Sequence, residues 1–537
     1  MTMTDRPNVV LVLADDMGYS DIGCYGSEIE TPHLDALGLA GIRLTRFTTT
    51  ARCSPSRASL LTGLHPHQTG IGVLTADDGP GGYPGSLNNR CLTIAEVLGA
   101  VGYVTYLSGK WHLSHEKDVP SDAWPMRRGF QHFYGTLDGG GNYYAPRRLT
   151  RGERDVSGEA LDDPGFYYTD AISGTAAGYI RDHRARYGER PFFCYVAYTA
   201  PHWPLHALDA DVERCAGRYE DGWDAVRERR LAKMRALGIL GEDTVPSPRN
   251  PLVPPWEDVE HPQWEQRRME VYAAQVEAMD RGIGKIVEEL RAAGELDNTM
   301  LVFLSDNGGC AEELPLGLGR DYVARGKRFV SAATRDGRDV YVGNRPELAP
   351  GAEDTHMSYG PGWANVSNTP FRLFKRWVHE GGVASPFIMH WPAGLGDRAG
   401  TICRDPHYLP DFVPTVLEAT GAAYPVDLPG RDPLPLEGRS MLASLRGAGD
   451  PERCQFYEHL GNAAVRRGRW KLVREYPGDW ELYDVECDPA ELSDVAARHP
   501  ETVRELARAW AEWAARCGVV PRERILELER WGLAAPD

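Results

Sequence analysis

The sequence predicts an α/β architecture: a large, mostly parallel sheet sandwiched by helices, followed by a smaller C-terminal α+β part. Three observations carry this expectation. Short apolar runs recur between residues 9 and 390, helical patterns lie between them, and the character of the chain changes after about residue 430.

The runs are Val9–Ala14 (VVLVLA), Tyr103–Leu107 (YVTYL), Phe192–Tyr198 (FFCYVAY), Met300–Leu304 (MLVFL) and Pro386–His390 (PFIMH). A strand covered by helices on both sides must be apolar on both faces, and these are. Between them, "LTIAEVLGAVG" (92–102) sets Ile94, Val97 and Leu98 on one helical face, and "RMEVYAAQVEAMDRGIGKIVEELRAAG" (268–294) is a longer helix; glycine closes both. Strand alternating with helix points to a doubly wound α/β domain. Stretches near 120–190, 205–265 and 311–365, rich in Gly, Pro, Arg and aromatics, break the rhythm and are expected to wall a site. Beyond residue 430, "AAVRRGRWKLVREY" followed by "WELYDVECDPAE" predicts a hairpin, and "ETVRELARAWAEWAARCG" an amphipathic final helix. Two domains are expected, 1–430 and 431–537.

Bulk composition narrows the function. A formal net charge of −18 over 537 residues argues against nucleic-acid or anionic-membrane partners, so any anion must be held by local positive charge. No run of about 18 apolar residues is present to span a membrane. The opening "MTMTDRPNVVLVLADD" is too short and wrongly flanked for a secretory leader. Ten cysteines are scattered with no C-x-x-C pair and no His-Cys zinc spacing, which reads as reduced thiols and a cytoplasmic setting.

Polar residues follow the strands. Open α/β sheets bind ligands beyond the carboxyl ends of their strands. The first run leads into Asp15-Asp16, the second into "SGKWH" with Lys110 and His112, the third into "APHWP" with His202, the fourth into "SDNGG" with Asp306 and Asn307. A single such residue would be a cap or turn former; four strands sharing the pattern make a site. Asp15, Asp16, Asp306 and Asn307 are hard oxygen donors suited to Ca²⁺ or Mg²⁺, and several carboxylates need a cation between them. Lys110, His112, His202 and Arg57, cationic or able to become so, would grip an anion beside the metal. Lysine and lone histidines, where a two-metal phosphatase needs further ligands, favour one metal.

Cys53, in "TTTARCSPSRASLLTG", stands among small polar residues at the start of a helix in which Pro55 suits the first turn. Arg57 would lie one turn along on the same side. A thiol there is expected to be acidic and reactive. Spacing leaves open an inert buried cysteine, a thiol nucleophile, or something else.

"CSPSRASLLTG" resembles the signature of the type I sulfatases, Cys-x-Pro-x-Arg before a short helix, matched by Cys53, Pro55 and Arg57. "NVVLVLADDMGYSDIGCYG", "GKWHL", "APHWPL", "LDNTMLVFLSDNG" and "LYDVECDPAE" follow in the family's order, so the likeness covers nearly the whole chain. "GRYEDGWDAVRERRLAKMRALG" and "RLFKRWVHEGG" are similar to segments of the soluble bacterial arylsulfatases; the latter supplies Lys375.

The resemblance implies the alkaline-phosphatase/sulfatase-like fold and hydrolysis of sulfate esters, aryl sulfates first. It implies that a formylglycine-generating enzyme, a transient partner, converts Cys53 to Cα-formylglycine (3-oxoalanine), whose hydrate is the nucleophile. One Ca²⁺ would sit on Asp15, Asp16, Asp306, Asn307 and the modified Cys53. Asp306 would take a proton from the hydrate, and Arg57 and Lys110 would steady it. Lys110, Lys375 and His202 would contact the sulfate, His202 or Lys375 protonating the leaving oxygen. His112 would deprotonate the second hydroxyl so that sulfate is expelled and the aldehyde restored. Cys310, near the metal loop, is read as structural, and Trp203, Tyr143 and Tyr144 as candidates to stack on an aryl group. The competing readings are a phosphonate or phosphate mono- or diester hydrolase of the same superfamily, and a non-catalytic anion-binding protein with unmodified Cys53.

Overall fold

The computed structural model describes residues 6–530 apart from 78, 80, 327, 328, 427 and 451. The first five residues of the opening segment, on which the expectation of no secretory leader partly rests, lie outside the described residues.

The seven longest strands of the main sheet are β1 (Asn8–Ala14), β2 (Ile42–Thr48), β3 (Val104–Lys110), β4 (His132–Thr136), β5 (Phe192–Ala197), β6 (Thr299–Ser305) and β7 (Ala384–His390). With short edge strands they form an eleven-stranded sheet among the described residues, in which the order β2-β7-β6-β1-β5-β3-β4 holds the centre. β6, β1, β5, β3 and β4 all run parallel, so their carboxyl ends share one edge. All five expected strands are present. β7 differs in direction, lying antiparallel to both β6 and β2. The reason is the preceding loop, which already lies at the carboxyl edge, where Lys375 N–H donates to Gly309 O at 3.1 Å. A strand leaving that loop has to run back.

Burial explains the apolar runs. In β1 the side chains of Val10, Val12 and Ala14 meet one core, shared with helices α3 (Tyr168–Tyr187) and α4 (Pro262–Ala292), while Val9, Leu11 and Leu13 meet a second. That second core includes Leu60 and Leu61 of α1 (Cys53–Thr62) and Ile94 and Val97 of α2 (Ile94–Ala100). Each fully buried Val or Leu contributes roughly 1.5–3 kcal/mol, so both faces of the strand hold the sheet between its helix layers. The helix expected at 268–294 begins six residues earlier, at Pro262, where proline occupies the first turn.

After residue 450 a separate antiparallel sheet forms from β8 (Cys454–His459), β9 (Asn462–Arg467), β10 (Trp470–Arg474) and β11 (Glu481–Asp484). The expected hairpin is longer than read: "AAVRRGRWKLVREY" holds both β9 and β10, "WELYDVECDPAE" adds β11, and β8 precedes them. Helix α5 (Pro500–Cys517) covers the sheet, Leu506 packing against Val465, Leu472 and Leu482. Among the described residues, no helix is long and apolar enough to cross a membrane.

Candidate active site

The parallel strands deliver their following residues to one place. Asp15 and Asp16 follow β1, Asp306 and Asn307 follow β6, Lys110 ends β3 with His112 beyond it, and His202 lies past β5. Asp16 and His112 take left-handed backbone (φ 63° and 55°), which folds the chain sharply at the sheet edge. Helix α1 begins at Cys53 itself after an extended Arg52 and ends on Gly63 (φ 70°), where a side chain would be strained. Cys53, Arg57, Lys110, Asp306 and Asn307 are each 2% exposed or less.

Three carboxylates face three cationic side chains. Lys110 Nζ pairs with Asp15 Oδ2. Arg57 donates to Asp306 Oδ2 through Nη2 (2.8 Å) and Nε (3.1 Å), stands 3.6 Å from Asp15, and donates to Lys110 O at 3.2 Å. Lys375 Nζ donates to Asp16 Oδ2 at 2.8 Å, and His202 Nε2 lies 3.3 Å from that oxygen. Asn307 Nδ2 donates to Asp16 Oδ1 (2.7 Å), and Asp16 N–H to Asp306 Oδ1 (3.2 Å). Every sequence-predicted site residue is therefore gathered here. Both donors that Arg57 directs at a carboxylate within hydrogen-bond distance go to Asp306 Oδ2.

The donor set fits a hard cation. Asp15 Oδ1 and Asn307 Oδ1 are buried without a hydrogen-bond partner among the described residues, a costly state that a cation would relieve. Asp15, Asp16 and His202 bring ligand atoms within 4.8 Å of one another. Burial, reinforced by the Asp15 charge, pushes Asp306 up to about 7 against Arg57 and Lys110. Burial also raises Asp16, but His202 and Lys375 outweigh it and hold that carboxyl below the usual range.

One expectation about charge is corrected and one is narrowed. Burial pushes the Cys53 thiol up, Lys110 and Lys375 opposing incompletely, so the helix N-terminus does not make it acidic. Burial likewise takes His112 well below its ordinary value, helped by Lys110, and takes His202 down to about 3 against Asp16. Both imidazoles are neutral at pH 7, leaving Lys110, Lys375 and Arg57 as the cations. His112 Nδ1 stands 3.5 Å from Cys53 Sγ. His202 Nδ1 donates to Trp203 O (2.5 Å), so its Nε2 carries no proton and accepts from Lys375 Nζ at 3.4 Å.

Sequence reasoning missed the loop after β4. A Cβ on Gly139 would stand 2.3 Å from the His112 ring, and one on Gly140 3.2 Å from His202. "DGGGN" covers both imidazoles, His112 at a distance only glycine allows and His202 more loosely; its three consecutive glycines were the available signal. The aryl-stacking expectation fails for the tyrosines. Tyr143 is fully buried and donates to Thr199 O and His202 O, and Tyr144 donates to Ala207 O and Gly351 O, so both brace the His202 loop. Trp203, half-buried, packs on Phe329 and His356. The 120–190 and 311–365 stretches thus reach the site through Gly139 and Gly140 and through Phe329 and His356. The 205–265 stretch instead anchors Arg230 on Asp21 and Glu28.

The chain's relatives accord with this arrangement. The family profile described as Sulfatase matches residues 7–422, and one described as N-sulphoglucosamine sulphohydrolase, C-terminal, matches 371–512. The chain is 32% identical to an uncharacterized sulfatase of Schizosaccharomyces pombe, covering 99% of this chain and 97% of that one. It is 35% identical to an arylsulfatase of Klebsiella aerogenes over 82% of this chain and 92% of the other. Ps i-CgsB, solved in complex with k-i-k-neocarrahexaose, superposes with a TM-score of 0.66 at 25% identity, covering 95% of this chain and 93% of that one. The chain belongs to the sulfatase family and is a sulfuric ester hydrolase.

Proposed function

We propose that the chain hydrolyses aryl sulfates using a formylglycine made from Cys53 by a formylglycine-generating enzyme, with Ca²⁺ held by Asp15, Asp16, Asp306, Asn307 and residue 53. The observation that carries this is the buried, non-acidic Cys53 within the Cys-x-Pro-x-Arg signature, 3.5 Å from a neutral His112. A thiol so placed is a poor nucleophile. When present, the cation would draw charge from the sulfate oxygens, and the hydrated aldehyde would supply a hydroxyl nucleophile for sulfur and a second hydroxyl for the base to deprotonate.

The chain's own residues do the rest. Lys110 and Lys375 neutralise the sulfate from two sides. Lys375, whose ammonium lies against the proton-free Nε2 of His202, is the acid that protonates the leaving phenolic oxygen; His202 orients it. His112, neutral and wedged beneath Gly139, is the base for the residue-53 hydroxyl. Burial of the whole cluster excludes water and strengthens each charge interaction. The same reading includes a division into parts near residue 430 and a cytoplasmic location, the latter supported by ten cysteines that are all free. Turnover of one aryl group as its sulfate, phosphate and phosphonate tests it. Sulfate should be preferred by several orders of magnitude, and a preference for either phosphorus ester would refute it.

A further inference from the structure

A cationic feature beside the sulfate site is left over once these roles are assigned. Lys375 turns inward to Asp16, and the next residue, Arg376, is exposed. The Arg376 guanidinium has no hydrogen-bond or ion-pair partner among the described residues, although 77 acidic residues in the chain outnumber 59 Lys and Arg. Its backbone is held in the left-handed region at φ 92°, a strained position for a side-chain-bearing residue. The strain is enforced from both sides: Arg376 N–H donates to Ala51 O at 2.8 Å, and Asn462 Nδ2 donates to Arg376 O at 3.1 Å.

Those two contacts bring three segments together. Ala51 leads into Arg52 and Cys53, while Asn462 opens β9 and faces His459 across the tip of the β8–β9 hairpin. His459 is 1% exposed and neither ring nitrogen has a partner among the described residues. Burial first, then the positive charges of Arg52 and Arg376, hold it neutral. Arg52 pairs with Glu312, the one carboxylate paired within this group, and its Nε is buried and unpartnered. A buried imidazole with two idle nitrogens costs stability unless a ligand uses it, and the exposed Arg376 guanidinium beside it is free to take an anion.

We propose that Arg376, with Arg52 and His459 beside it, forms a second anion subsite that takes a carboxylate or second sulfate on the organic part of the substrate. This rests on the sulfatase reading of the Cys53 site and makes the preferred substrate a sulfate ester with at least two negative charges. In a chain so negative overall, an exposed cation here would also select such esters on encounter. Arg376 is a specificity residue and touches no reacting atom.

The test uses the full chain with Cys53→Ala, loaded with Ca²⁺, so that binding is read without modification or turnover. Calorimetry compares phenyl sulfate with 4-carboxyphenyl sulfate and with benzene-1,4-diyl disulfate; the last two separate a carboxylate from a second sulfate. At least one dianion should bind about tenfold or more tightly than phenyl sulfate, as a charge-assisted pair predicts. Arg376→Glu in the same background should bring that ratio to about one or below, and Arg376→Lys should retain most of it. Equal affinity for all three esters in the parent, or an unchanged ratio in Arg376→Glu, would overturn the subsite. Failure of the sulfatase reading shows up separately, as absence of phenyl sulfate hydrolysis by the Cys53 protein made with the modifying enzyme.

Discussion

Gly139→Ala tests the assignment of His112 as the base without touching a charged group. Gly139 does not have a left-handed backbone, so alanine adds only a methyl group. That methyl would stand 2.3 Å from His112 Cε1 and Nε2, and real side-chain carbons essentially never come closer than 3.0 Å, so the ring must retreat by at least 0.7 Å. The retreat changes the 3.5 Å approach of Nδ1 to residue 53. A displacement near 1 Å costs about 10²-fold in rate, or about 2.7 kcal/mol of barrier, and overpacking costs about 1–3 kcal/mol of stability. Rapid mixing with 4-nitrophenyl sulfate should then show a burst of nitrophenol followed by turnover slowed about 100-fold, because proton removal by His112 follows release of the phenol. Gly140→Ala, with its 3.2 Å approach to His202, should cost only a few-fold and give no burst. Unchanged turnover in Gly139→Ala, or slowing without a burst, would refute the assignment.

Two further outcomes follow from the same geometry. Chelation should abolish activity, and Ca²⁺ should restore it. At about a hundred times its dissociation constant the cation should also add about 2.7 kcal/mol of stability, seen as a raised Tm in the inactive Cys53→Ala chain. The second concerns acid stability. Burial holds His65 down to about 3 against Glu437, so below pH 6.5 the unfolded chain takes a proton that the folded one refuses. Stability is therefore lost as pH falls from 6.5 towards 3, by about 3 kcal/mol at pH 4 from this group. His65→Phe, which keeps the edge contact on Trp513, should flatten the urea midpoint between pH 6.5 and 4.

The five apolar runs were legible because burial on both faces leaves a plain sequence signature. β2 (Ile42–Thr48) was not read because Arg43, Thr45 and Arg46 interrupt it; Arg43 is buried nonetheless, its guanidinium donating to Cys24 O. The direction of β7 depends on where its loop crosses the sheet, a tertiary fact. Asp15, Asp16, Lys110, His112, His202, Asp306 and Asn307 were legible from topology, since each ends or follows a strand. Lys375 follows no parallel strand and came only from family likeness. The acidity of Cys53 was misjudged because local sequence shows a helix N-terminus but hides how completely the cluster is buried. Gly139 was missed for a related reason: nothing in the sequence says which side chain a glycine must clear.

The most direct test of the account is the mass of the Cys53 peptide from active protein made aerobically with the modifying enzyme. A loss of about 18 Da relative to the thiol, the change from CH₂SH to CHO, is the predicted result. An unmodified thiol in protein that still hydrolyses sulfate esters would contradict it.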